Sequence, residues 1–260
     1  MDTLNPEHSP LTVTPPERGP SVWQIIWQIF VPALRGLFSF AAMFVVQNAV
    51  ILYFVLRQGL PIAPDKLNEI ATNGGNLALG VIISLPAVLA VAWLATHFAR
   101  KPFADYLALR GASWKNFLLG IFGLAVLLAG WELLSRAIGR ESTPDVMVNV
   151  FKTARAEGVV WVWLLAIATC VAAPISEEVV ARGLLYRGWS ETFLRVPGAI
   201  VLSSLAWALM HLQYDWYVLG VVFCMGLWFG YMRYRSGSIW LTIVIHGLNN
   251  FAAFVQTAYQ

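Results

Sequence analysis

Charge is what this chain has least of. Asp, Glu, Lys and Arg together make up 12% of its 260 residues, about half the roughly 25% of a soluble domain. A chain so poor in charge is excluded from the ordinary soluble class. Cysteine is scarcer still. Cys170 and Cys224 are the two present, both inside apolar runs and without CxxC or Cys/His spacing. That excludes a disulfide framework and a thiolate zinc site, and reads both as small buried hydrophobes. Internal repeats are missing too, which leaves an inverted-repeat transporter without support from symmetry. A concentrated basic face is also lacking: the net charge is only +3, and Lys and Arg fall between apolar runs, where they set topology. No nucleic-acid partner is expected.

Hydrophobic residues, at 58%, and twelve tryptophans fill the space that charge leaves. Apolar runs of about twenty residues recur, the length that crosses a bilayer. The expected fold is an all-α polytopic transmembrane bundle, with membrane lipids as its surroundings. Clear spans are predicted near 36–56, 77–98, 117–138, 159–187, 198–212, 217–234 and 238–257. That makes seven, or eight if "SVWQIIWQIFVPALR" (21–35) also inserts. This stretch reads as an interfacial amphipathic helix or as the entry to the first span. Residues 1–20, polar and proline-rich, read as a disordered cytosolic tail and not as a cleaved signal peptide.

Loop charge gives the orientation. With the N-terminus inside, the cytosolic segments hold Arg18, Arg35, Arg100, Lys101, Arg110, Lys115, Arg182, Arg187, Arg195, Arg233 and Arg235. The other side holds Arg57, Lys66, Arg136, Arg140, Lys152 and Arg155. Eleven against six of the seventeen basic residues favour N-inside, with the 139–158 loop dissenting.

Against this background, ionisable groups inside spans mark the places to examine, because each is expensive there. Glu177, Glu178 and Arg182 follow the uncharged run from Val159 to Ala173. His211 and the "QYD" behind it end one apolar stretch; His246 and Asn250 lie in the last. Glu178 and Arg182 are four apart with Glu on the N-terminal side, the favourable order for an ion pair on one helix face. Glu177 is rotated about 100° from Glu178 and is left free for chemistry. His246 and Asn250, also four apart, share a face. Counted from the cytosolic ends at the helical rise, Glu177 comes out ~15 Å deep, His246 ~12 Å and His211 ~20 Å. Tilt and a Pro174 kink can absorb the difference, so all three can meet in one intramembrane cavity.

Taken singly, each has a bland reading. An intramembrane His is often a helix–helix hydrogen bond, and a Glu–Arg pair at a span end is often an interfacial anchor. Gly226 and Gly230 form a GxxxG that reads as packing. Glu132 reads as a snorkelling or interior polar contact. Co-occurrence at compatible depth is what sets the four sites apart.

Three motifs in this order resemble a known set. "EEVVAR" (Glu177, Glu178, Arg182) matches EExxxR, "WALMH" (Trp207 to His211) matches FxxxH with Trp for Phe, and "HGLNN" (His246 to Asn250) matches HxxxN. The set resembles the CPBP family: the type 2 CAAX prenyl proteases and the bacteriocin-processing or immunity proteins once called ABI. The likeness covers residues 159–257, which it implies form the catalytic domain, preceded by interfacial and transmembrane helices over 21–158. It implies an intramembrane endopeptidase. Glu177 would be the base that activates water, and His211 would hold and polarise that water. His246 and Asn250 would stabilise the oxyanion, with Glu178 and Arg182 as structural support. Placing oxyanion donors where water is excluded is where they are worth most. The same residues leave a metalloprotease open, with Zn2+ held by Glu177, His211 and His246, although the HExxH that would favour metal is lacking.

The implied substrate is a peptide or membrane protein, or a prenylated CAAX tail if the source is eukaryotic. The membrane would be a bacterial plasma membrane, or the endoplasmic reticulum in a eukaryote. The rivals are a non-proteolytic scaffold or immunity protein of the same fold and, further off, an ion- or proton-coupled transporter.

Overall fold

The computed structural model describes residues 21–260, so the polar tail over 1–20 lies outside the described residues. Among the described residues there is helix and no strand. Seven helices build the bundle: α1 (Val22–Arg57), α2 (Gly74–Phe98), α3 (Trp114–Ala137), α4 (Val159–Ser190), α5 (Arg195–Leu209), α6 (Trp216–Ser236) and α7 (Ile239–Ala258). Shorter helices at Pro64–Ala71, Phe103–Leu107 and Asp145–Glu157 occupy connections. All but α5 of the seven are long and apolar enough to cross a membrane, which makes six. The chain is an integral membrane protein.

The span count expected from the sequence contracts from seven or eight for two physical reasons. Residues 21–35 are not an element of their own. A capping box, in which Ser21 and Gln24 satisfy each other's backbone N–H, starts α1, and the helix runs through Pro32 for 36 residues, or ~54 Å. The stretch expected to span 198–212 stops being helix at Leu209. Its 15 residues rise only ~22 Å, short of the ~30 Å hydrocarbon layer, so His211 falls beyond the helix end.

Cross-links sort the connections onto two ends of the bundle. At one end Arg35 Nη1 donates to the Tyr106 hydroxyl, Trp189 Nε1 to the Ile29 carbonyl, Ser238 Oγ to the Arg110 carbonyl and Ile239 N to the Ala108 carbonyl. At the other, Gly74 N donates to Thr153 Oγ1, Asn73 Nδ2 to Glu157 and Arg140 to Asp215. This is the alternation that successive spans require.

α4 sits between two packed layers. Val180, Leu184 and Trp189 pack with Leu107 and Ile239 on one side, and Ala181 joins Trp207, Phe229, Leu241 and Ile245 on the other. Close approach depends on small residues. A Cβ on Gly226 would lie 2.9 Å from Ser204 Cβ, and one on Gly230 3.0 Å from the Ile200 side chain, so the GxxxG of α6 seats α5. The cysteines are free, Cys170 half-buried and Cys224 exposed, which corrects the expectation that both are buried. Glu132 pairs with Arg136 at 2.6 Å on the exposed surface of α3.

Gly226→Leu is expected to destabilise the bundle by about 1–3 kcal/mol through overpacking against α5. Gly220→Ala, with open space around it, is expected to leave the thermal midpoint in detergent unchanged or raised. Equal midpoints for the two variants would contradict this packing account.

Candidate active site

α4 changes register twice around the paired glutamates. It is α-helical over Ala173–Glu178, with π-helical segments at Ala168–Ala172 and Val179–Leu185 on either side. Such segments recur at functional sites, because an extra residue in a turn re-aims the side chains next to it. The expected Pro174 kink is thus a register change, with Pro174 at the start of the α-helical stretch.

The two glutamates have different surroundings. Glu178 and Arg182 are wholly buried and pair at 3.0 Å. Arg182 Nη2 also donates to the Gly226 carbonyl at 2.8 Å, and its guanidinium lies 4.8 Å from the Trp207 ring centre and 5.5 Å from that of Phe229. A buried ion pair is tolerable only with such extra partners, since desolvation of each charge costs several kcal/mol. Glu178 Oε1 accepts as well from His246 Nδ1 at 3.1 Å. Glu177 is outside this pair and retains 15% side-chain exposure.

Around Glu177 three helices converge. Its Oε2 accepts the Trp207 Nε1–H at 2.7 Å. The same oxygen stands 3.7 Å from His211 Nε2 and 3.8 Å from His246 Nε2. Both gaps exceed a direct hydrogen bond, so the three groups are close neighbours that are not bonded to one another. The far side of each ring fixes its tautomer. His211 Nδ1 lies 2.9 Å from the Trp207 carbonyl, which can only accept, and His246 Nδ1 faces the ionised Glu178. Each Nδ1 therefore carries a proton, which leaves each Nε2 directed toward Glu177. A carboxylate and two imidazole nitrogens thus face one small space.

His211 reaches this space because α5 ends early. Its ring folds back onto the Trp207 carbonyl, which also accepts the Met210 N–H, and stacks with Tyr214 at 6.0 Å. Asp215, also in the "QYD", caps α6 through the Val218 N–H; that bond and the nearby Arg140 hold its carboxyl below the usual range. Phe229 of α6 stacks on His246 of α7 at 5.3 Å.

Asn250 comes into the site by way of Pro174. Ala173 N donates five residues back to the Ala168 carbonyl. The next donor in that series would serve Thr169, but it is residue 174, and proline has no N–H. Asn250 Nδ2 supplies the missing bond at 2.8 Å, while its Oδ1 accepts from Asn249. One turn earlier, a Cβ on Gly247 would lie 2.6 Å from the Cys170 carbonyl oxygen. Only glycine lets α7 come so near α4, and that nearness carries His246 to Glu177 and Glu178.

Of the residues expected from the motifs, Glu177, Glu178, Arg182, His211 and His246 lie against one another; Asn250, one turn farther along α7, is held at the Thr169 carbonyl. The structure adds Trp207, which the sequence reading treated as a packing substitute for Phe; the signal was the indole N–H, a donor that Phe lacks. Tyr214 falls in the "QYD" already singled out; the Thr169 carbonyl was missed, because a freed backbone group leaves no mark in side-chain chemistry. Among the described residues, no three His, Cys, Asp or Glu side chains are gathered so as to hold a metal ion. The zinc set of Glu177, His211 and His246 therefore finds no support in the geometry.

Arg182→Ala is expected to cost about 3–5 kcal/mol, the penalty for leaving a buried charge unpaired, and to be read as loss of folded protein in detergent. Glu132→Ala, which breaks a pair at the surface of α3, is expected to change the midpoint little. A folded Arg182→Ala protein with a wild-type midpoint would contradict the account of this pair.

Residues 159–252 match the family model described as type II CAAX prenyl endopeptidase, Rce1-like. The match supports a CPBP assignment for this segment, which carries all three motifs. No curated protein and no solved structure matches the chain.

Proposed function

From that family assignment, we propose that the protein is an intramembrane endopeptidase that hydrolyses a peptide bond with water activated by Glu177. The observation that carries this reading is the convergence of Glu177 Oε2 with the Nε2 atoms of His211 and His246, within 3.8 Å and half inside a membrane-spanning bundle.

In the proposed reaction a water lies between Glu177 and the two histidines. Its hydrogens point to acceptors, so its oxygen lone pair is directed at the scissile carbonyl. Glu177 takes one proton as the oxygen attacks, giving a tetrahedral oxyanion. Asn250 Nδ2 has two hydrogens; one serves the Thr169 carbonyl and the second is available to the oxyanion. His246, one turn away on the same face of α7, stays bonded to Glu178 through Nδ1 and turns Nε2 to the water, so it orients the nucleophile and leaves the oxyanion to Asn250. Donors held rigidly by other bonds need no reorganisation as charge develops. Collapse breaks the C–N bond, and the proton held by Glu177 passes to the leaving amine. Glu178 and Arg182 hold His246 and the helix in place.

A zinc reading of the same residues draws on the two Nε2 atoms aimed at one carboxylate, an orientation that metal-bound histidines share. The substrate is a peptide or membrane protein segment that reaches the bundle, with a prenylated CAAX tail as the form suited to a eukaryotic membrane. A bacterial plasma membrane is the proposed location.

Glu177→Gln is expected to fold with a wild-type midpoint and to lower cleavage in membranes by at least 10²-fold, as loss of a general base does. Full cleavage by this variant would overturn the assignment and leave the scaffold reading. Cleavage is expected to survive strong chelation; loss on chelation that zinc alone restores would select the metal reading.

A further inference from the structure

We propose that Trp207 is a positioning residue for Glu177, its indole N–H fixing Oε2 so that the carboxylate presents one defined face to the attacking water. The inference rests on the reading of Glu177 as the base and goes beyond it by assigning a function to the one motif position that departs from the resembled pattern.

A carboxylate on a helix rotates readily about its terminal torsion, which is broad and roughly two-fold. Arg182 of α4 bonds Glu178 and the Gly226 carbonyl and makes no hydrogen bond to Glu177. Both histidine nitrogens lie beyond direct hydrogen-bond reach of Oε2. Trp207 is the group that touches it, at 2.7 Å. The indole is itself immobilised. Its side chain is 2% exposed. Its ring lies under the Arg182 guanidinium and makes edge contacts with His211 and His246 at 5.1 and 5.2 Å, with Phe229 at 5.8 Å. The backbone carbonyl of the same residue holds His211 Nδ1. Trp207 thus orients the carboxylate through its side chain and one of the two histidines through its main chain. A phenylalanine here could do the second and fill most of the same space, but it could not do the first.

This separation gives the test. Trp207→Phe keeps an aromatic ring among Arg182, Phe229 and the histidines and keeps the carbonyl on His211; it removes the N–H and the smaller ring of the indole. In proteoliposomes with a fluorogenic peptide that the wild type cleaves, kcat is expected to fall about 10- to 100-fold, the worth of a hydrogen bond to a charged group. KM is expected to stay within about twofold and the thermal midpoint to hold, because the contact is made to the base and not to ground-state substrate. Unchanged kcat in a folded variant would overturn the proposal, and so would a loss matched by a lower midpoint, since that is a packing effect. A second measurement does not depend on cleavage. In protein labelled with 15N-tryptophan, the indole cross-peak that disappears in Trp207→Phe is expected to move upfield in Glu177→Gln, where a neutral amide replaces the charged acceptor. An unmoved cross-peak would also overturn the proposal. Failure of the protease reading shows differently, as full cleavage by Glu177→Gln whatever Trp207 does.

Discussion

The buried ion pair of Glu178 and Arg182 is the constraint on which the rest of this bundle depends. Two charges with no exposure in a protein whose surroundings are largely apolar are tolerable only if every neighbour contributes. The neighbours are distributed accordingly: the Gly226 carbonyl comes from α6, the Trp207 face from α5, and His246 from α7. Partnering Glu178 Oε1 and the terminal nitrogens of Arg182 ties three helices to α4, while Glu178 Oε2 and Arg182 Nε keep no hydrogen bond among the described residues. It also divides the labour of the two adjacent glutamates. The carboxylate that is neutralised fixes architecture, and the one left outside the pair keeps some solvent access and faces two imidazoles.

Backbone irregularity does comparable work. The π-helical segments and Pro174 interrupt the ladder of α4 at the level of the site. The carbonyls that proline cannot serve become docking points for α7, Thr169 through the Asn250 amide and Cys170 through the approach that Gly247 permits. Inside a membrane an unpaired carbonyl costs several kcal/mol. Pairing it with a side chain from another helix turns a local defect into a tertiary tie, and the tie sets the height at which His246 meets Glu178.

Much of this was legible in the residues. Glu178 and Arg182 could be paired from their four-residue spacing, and low charge with long apolar runs announced a helical membrane bundle. Adding up depths along separate spans brought Glu177, His211 and His246 to comparable levels. What could not be read was anything that turns on where a helix stops or slips. Apolarity continues smoothly through Leu209 to Leu212, so a span was expected where a 15-residue helix ends and exposes His211. The stretch before Pro32 reads as an interfacial helix or as the entry to the first span, and the second holds: one capping box starts a helix that runs on to Arg57. Trp207 looked like an aromatic replacement because packing volume is visible in a sequence and hydrogen-bond direction is not.

The central claim is that Glu177, His211 and His246 together hold a water. A high-resolution experimental map of the whole chain, by crystallography with data collected across the zinc edge, tests it most directly. The account predicts a solvent peak between the three side chains, within about 2.6–3.2 Å of Glu177 and of at least one imidazole, with no anomalous signal there. An anomalous zinc peak about 2 Å from these ligand atoms, or side chains closed onto one another with no solvent between them, would contradict it.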